Sequence, residues 1–228
     1  MKDNKELFKA RCSRLGALFT NPRSKSELLS QTCKTYLDEW YIENLFGVRK
    51  EIVSRYTDKG LNLEDSAISI YSKTFGVDAQ KNDEFFADDF IQGTPDIVLD
   101  DRIVDIKCSY SAFSFPMLEK DLPNKDYFYQ LQGYMRLCNK QSAEVCYFLL
   151  DTPDDIILRE AKSIMYKEQL PDDFLDIIIA EVKENHTYSH IPIEKRIKRF
   201  VIQRDEDVIK DMENRVILCR DYISSIGI

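Results

Sequence analysis

No stretch of this chain approaches the roughly 18 consecutive apolar residues that a membrane-spanning helix needs, so no span is expected. Residues 1–15 are polar and charged and lack an apolar core, so no secretory signal is expected either. The six cysteines (Cys12, Cys33, Cys108, Cys138, Cys146, Cys219) never form a C-x-x-C, which argues against a zinc or iron–sulfur site. They read as reduced, buried thiols of a cytosolic protein. Only two histidines occur, His186 and His190, without a nearby carboxylate pattern, and both read as surface residues. Internal repeats and linkers are absent, so the 228 residues are expected to form one domain spanning 1–228, long enough to bury a sizeable core.

The chain also lacks an excess of positive charge. Its net charge of −8 argues against non-specific nucleic-acid binding by the molecule as a whole. The distribution says more. Residues 1–34 carry eight Lys/Arg against three Asp/Glu, and a second basic run holds Lys195, Arg196, Lys198, Arg199 and Arg204. Acid concentrates at Asp83–Asp89 and Asp151–Asp155. A polyanion would meet basic ends around an acidic, cation-loaded centre, although charge alone suits two solvated helix faces equally well.

What is present is a hairpin with acids in apolar places. Ile97-Val-Leu99 and Ile103-Val104 with Ile106 are β-rich runs around a polar turn at Asp100-Asp101. A two-residue turn sets Leu99 against Arg102, Val98 against Ile103, Ile97 against Val104, and therefore Asp96 against Asp105. Asp105 and Lys107, two apart, project from one face. Facing carboxylates destabilise a sheet unless something holds them, and a divalent cation with a taste for oxygen does so. Spacing alone suits a surface hairpin with solvated charges equally well.

Other segments offer further candidates. Ser13 precedes a short helix ending before Asn21-Pro22. It reads as an N-cap whose free N–H groups, with Arg11 and Arg14 nearby, suit a phosphate, though a plain capping serine explains it better on its own. Residues 25–46 are expected to be an amphipathic helix closed by Gly47, with 49–56 as a shorter helical segment. Residues 61–75 are the next helix. Its stripe of Ala67, Ile68, Tyr71 and Phe75 includes Glu64, an expensive buried carboxylate unless it meets a cation or donors; the other reading has it reach solvent from the first turn. The acids of 77–92 read as a solvated hairpin end, and 108–125 as a polar loop. A helix over 126–139 carries Gln130 and Tyr134 on one side, with Gln130 aimed at a core or a cleft. Strands over 143–150 and 198–203 and helices over 171–185 and 205–226 complete an α/β (α+β) chain, a mixed sheet flanked by helices.

Glu64, Pro95-Asp96, Asp105-Ile106-Lys107 and Gln130-x-x-x-Tyr134 occur in an order that resembles the PD-(D/E)xK nuclease superfamily. The likeness extends across nearly the whole chain to its lambda-type phage exonuclease branch (YqaJ-like viral recombinases). The segments that carry it are Arg11–Ser24, Lys59-Gly-Leu-Asn-Leu-Glu64, Gly93-Thr-Pro-Asp96, Val104-Asp-Ile-Lys-Cys108, Gln130-Leu-Gln-Gly-Tyr134-Met135 and Phe200–Glu206. Asp105 stands where the branch often has Glu, and its phosphate-pocket arginine has no clear counterpart beyond Arg11 or Arg14.

The resemblance implies a restriction-endonuclease-like core and a Mg²⁺-dependent exonuclease, with Mn²⁺ as a substitute and one or two ions per site. Asp96, Asp105 and the Ile106 carbonyl would hold one ion, with Glu64 placing a second or a water. Lys107 would orient or deprotonate the attacking water. Gln130, Ser13, an arginine and Tyr134 would meet a DNA phosphate. It further implies action on double-stranded DNA ends from the 5′ side, leaving 3′ single strands. It also implies a homotrimer, a single-strand annealing partner, and a phage or prophage protein in bacterial cytoplasm. A restriction- or repair-type endonuclease and a non-catalytic DNA-binding recombination scaffold are the alternatives.

Overall fold

The structure, a computed structural model, describes residues 7–50 and 55–226, without the side chains of 55–57. In chain order the elements are β1 (Ala10–Arg11), α1 (Leu15–Leu18), α2 (Gln31–Phe46), α3 (Arg55–Phe75), β2 (Phe86–Ala87), β3 (Ile91–Gly93), β4 (Ile97–Val98) and β5 (Arg102–Cys108). They continue with α4 (Lys125–Leu137), β6 (Ser142–Phe148), α5 (Asp154–Glu168), α6 (Leu175–Asn185), β7 (Ile197–Gln203) and α7 (Glu206–Ile226).

Two mixed sheets result. The larger has the order β4-β5-β6-β7, with β5 and β6 parallel and the other pairs antiparallel. The smaller, β1-β3-β2, pairs β1 parallel to β3. The hairpin register is the expected one: Ile97 faces Val104, Val98 faces Ile103, and Leu99 N donates to Arg102 O at 2.9 Å.

Alternation along β5 decides what the two faces of the larger sheet carry. Val104 and Ile106 join Ala67, Ile68 and Tyr71 of α3 and Phe148 in one buried layer. Ile103 joins Leu131 and Met135 of α4, Val145 and Phe200 in the other. Asp105 shares the α4 side with Ile103, and it is fully buried. That excludes a solvated surface hairpin. Helix α4 packs closely on α1 and the turn before it because Gly133 lacks a side chain: a Cβ there would stand 2.6 Å from Leu15 Cδ1 and 2.9 Å from Cys12 Sγ. A Cβ on Gly93 would stand 2.9 Å from the Tyr134 ring, so the strand before Asp96 also needs its glycine.

Several expectations change. Helix α2 begins at Gln31, not at 25, because Ser30 caps it by accepting from Cys33 N at 3.0 Å. The 49–56 segment lies partly outside the described residues, and Arg49 and Lys50 are not helical. Helix α3 is longer than 61–75 and ends at Gly76, whose φ of 64° closes it in the left-handed region. Helix α5 was not expected. Its stripe of Ile157, Ala161 and Met165 is buried, and Ile157 and Ala161 pack on Val182 of α6. Asp88 is not a solvated hairpin acid, for it accepts from Phe90 N, Ile91 N and Arg136 Nε. His186 is half-buried, with its ring against Tyr110 and Nδ1 3.2 Å from Thr152 Oγ1.

Candidate active site

The end of β5 brings together the acids that the sequence separates. Asp96 Oδ2 accepts from Ile106 N at 2.7 Å, which fixes its carboxylate beside Asp105. Gln130 Nε2, from α4, donates to Asp105 Oδ1 at 2.7 Å. Lys107 Nζ lies 2.6 Å from Asp105 Oδ2 and 3.2 Å from the Ile106 carbonyl oxygen. The Lys107–Asp105 approach is an ion pair by distance and lies outside hydrogen-bonding directions, so Oδ2 is buried without a directed donor. The Lys107 ammonium also sits 5.1 Å from the centre of the Tyr127 ring.

These groups border a cleft of about 450 Å³ lined by Glu64, Asp96, Ile106, Lys107, Ser109 and Tyr127. Glu64 is half-buried, with Lys81 Nζ 2.9 Å from its Oε1. Thus Glu64 meets the cation its helical position calls for, and Lys81 is that cation.

Burial, and then the neighbouring Asp105 charge, raise Asp96 to a pKa of about 7, so near neutrality it is poised between the acid and its carboxylate. Burial works against the charge on Lys107, but Asp105 and Asp96 outweigh it and hold the ammonium above the usual lysine range. In this arrangement Lys107 is a cation held between the two acids and the Ile106 carbonyl.

The donor set suits a hard divalent ion. Asp96, Asp105 and the Ile106 carbonyl are oxygen donors at the end of β5, and Asp105 Oδ2 is buried without a directed donor. Among the described residues no three Asp, Glu, His or Cys side chains form a metal cluster by themselves.

The phosphate candidates are scattered. A cavity of about 670 Å³ is lined by Lys9, Arg11, Ser13, Gln92, Thr94 and Tyr134. Ser13 is exposed there, but it caps nothing: it lies within a 3₁₀ turn, Cys12–Arg14, and α1 has no side-chain cap. Arg11 is paired with Glu43. Arg14 lines a separate, smaller cavity with Ser13, lies over the Tyr36 ring and is 3.5 Å from Glu39. Gln130 borders neither cavity. Its Nε2 donates to Asp105. Tyr134 donates to Thr94 O at 3.1 Å, a link between the larger cavity and the Pro95-Asp96 backbone.

The three arginines of the late basic run are not a free face. Arg199 pairs with buried Glu144, Arg196 donates to the Ile191 and Leu149 carbonyls, and Arg204 binds Glu206 and the Met135 carbonyl. Sequence reading missed Lys9, Thr94, Lys81 and Tyr127. Thr94 adjoins the Pro-Asp motif, whereas Lys81 sits in an aperiodic polar stretch that gives no signal.

An acid pair with Asp-x-Lys on a mixed sheet, backed by an acidic helix and a glutamine helix, defines a nuclease fold of the PD-(D/E)xK, restriction-endonuclease-like class. No family model and no curated protein matches the chain. Solved structures do. A phage-related exonuclease from Haemophilus somnus 129PT superposes with a TM-score of 0.77 at 28% identity, covering 98% of this chain and 96% of that one. An alkaline exonuclease (LHK-Exo) from Laribacter hongkongensis superposes with a TM-score of 0.67 at 15% identity, covering 96% and 89%, and at that identity it speaks to the fold alone. The same enzyme in complex with dAMP gives 0.65. The chain therefore resembles the phage-type exonuclease branch in three dimensions as well as in its motifs. Among the described residues no helix is long and apolar enough to cross a membrane.

Proposed function

We propose that this chain is a phage-type DNA exonuclease that hydrolyses phosphodiester bonds with Mg²⁺, which Mn²⁺ can replace. The observation that carries the reading is the convergence of Asp96, Asp105, Lys107 and the Ile106 carbonyl beside one cleft, with Gln130 orienting Asp105 from behind. Its likeness to a phage-related exonuclease at 28% identity over nearly the whole chain supports it.

Asp96, Asp105 and the Ile106 carbonyl are the residues that would hold the ion. When bound, a divalent cation supplies a water that is acidic near neutral pH and offsets charge growing on the phosphate. The chain's own part is positional. Gln130 holds Asp105 in one rotamer, and Ile106 N does the same for Asp96. Lys107 would offer positive charge to a phosphate oxygen, orient the attacking water or take its proton. Lys9, Arg11, Ser13 and Thr94 line the cavity we assign to a DNA phosphate, and Arg11 must exchange Glu43 for it.

We further propose attack from a 5′ end of duplex DNA that leaves a 3′ single strand, a homotrimeric assembly and a single-strand annealing partner; these rest on the resemblance. The test is incubation with linear and circular duplex DNA, with Mg²⁺ or EDTA, beside Lys107→Ala. The expected result is loss of linear DNA only, abolished by EDTA and by the substitution. Cutting of the circle would make the chain an endonuclease. DNA binding without hydrolysis in any divalent metal would leave a scaffold. Labelling of 5′ or 3′ ends then reads polarity.

A further inference from the structure

Among the described residues two buried side-chain oxygens have no hydrogen-bond partner in the protein, Asp105 Oδ2 and Ser109 Oγ. Burying a polar atom unpaired costs stability, so each calls for a reason. Asp105 has one, as a donor to the ion. Ser109, only 6% exposed, has none in that chemistry, yet it lines the same cleft as Asp96 and Lys107. Ser109 N donates to the Phe148 carbonyl at 2.8 Å, which carries the pairing of β5 with β6 one residue past Cys108. Alternation then sets Ser109 on the strand face of Asp105 and Lys107. The backbone beyond it is pinned as well. The buried Lys59 ammonium donates to the Tyr110 carbonyl at 2.9 Å, and Ala112 N donates to the Tyr188 hydroxyl at 3.3 Å. The chain is therefore fixed on both sides of a serine whose hydroxyl no protein group holds. Such a hydroxyl can turn among its staggered rotamers while the backbone stays still.

We propose that Ser109 is a catalytic residue whose hydroxyl turns into the cleft and donates to a non-bridging oxygen of the phosphate under attack. Lys107 Nζ already lies against Asp105 and the Ile106 carbonyl, whereas Ser109 Oγ has no bond to give up. A donor that is fixed in place and unspent needs no reorganisation when charge grows on the phosphate. The inference rests on the nuclease reading and adds to it a substrate contact outside the motif of acids and lysine.

The experiment is single-turnover hydrolysis of linear duplex DNA with Mg²⁺, at saturating protein, by the wild type and Ser109→Ala. The substitution is expected to slow hydrolysis about 100-fold, the low end for one lost donor to developing charge. Ca²⁺ affinity by calorimetry and the urea midpoint should not change, because the hydroxyl has neither an ion nor a structural partner to lose. Sulfur in place of the contacted oxygen, in one phosphorothioate diastereomer, should slow the wild type and slow Ser109→Ala less. Ser109→Cys, close in volume but a weak donor, should match Ser109→Ala. Wild-type rates in Ser109→Ala, or slower hydrolysis together with weaker Ca²⁺ binding or a lower urea midpoint, overturn the proposal. A wild type that degrades no DNA with Mg²⁺ or Mn²⁺ overturns the nuclease reading instead, and duplex binding in Ca²⁺ then decides the contact. Binding weakened about 10-fold by Ser109→Ala upholds it, and unchanged or absent binding overturns it.

Discussion

Gln130 donates its side-chain amide to Asp105 across the interface between α4 and β5, at 2.7 Å, with both residues buried. The bond turns a helix that packs on the sheet into a rotamer lock for one of the acids.

Gln130→Leu keeps approximate volume and removes the donor. It should lower divalent-ion affinity and hydrolysis about 10–100-fold, the usual cost of removing an outer partner of a ligand. Calorimetry with Ca²⁺ and a linear-DNA assay read the two effects. Loss of DNA binding with unchanged ion affinity would instead assign Gln130 to the phosphate.

Asp96 makes metal-free stability depend on pH. Its folded pKa, about 7, lies above the ordinary value of 3.8, so between these values the folded state holds more protons than the unfolded chain. The stability it contributes is present below about pH 4 and is lost as pH rises towards 7. The wild type minus Asp96→Asn difference, from urea denaturation in EDTA between pH 4 and 8, should fall with rising pH and level off above 7. A flat difference would mean that Asp96 is already ionised throughout.

Lys59 has the opposite sign. It is fully buried, donates to the Tyr110 carbonyl at 2.9 Å and stands 5.6 Å from the centre of the Tyr188 ring. Burial lowers its pKa to about 8 from 10.5. The unfolded chain holds more protons between these values, so stability relative to Lys59→Met should rise from pH 8 to 10. Denaturation midpoints at pH 7, 8, 9 and 10 check this, and a constant offset would sink it.

Arg199 tests whether the late basic run serves DNA or the core. Glu144, fully buried, accepts from Arg199 and from Tyr71. Arg199→Ala should destabilise by about 2–3 kcal/mol, toward the low end for a broken buried pair because Arg199 stays partly exposed. The salt dependence of DNA binding should not change. A shallower salt slope with unchanged thermal stability would return Arg199 to a DNA-binding face.

Periodicity of two along 97–107 was enough to read the hairpin, its register, and the placing of Asp96 against Asp105 with Lys107 beside them, because a strand's faces alternate whatever the rest of the fold does. Helical spacing likewise put Glu64 on the inner stripe of α3. Local pattern could not say whether that acid would be wet or paired, since its partner Lys81 comes from an aperiodic stretch placed by Asn82's bonds to the Pro95 and Asp96 carbonyls. Nor could it say that Gln130 would turn to Asp105, or that Arg11 and Arg199 would be held by Glu43 and Glu144. Those outcomes depend on which charges the packing of distant segments brings within a few ångströms. The sequence by itself determined the acids and their shared strand face; the tertiary structure decided which cation answers each of them.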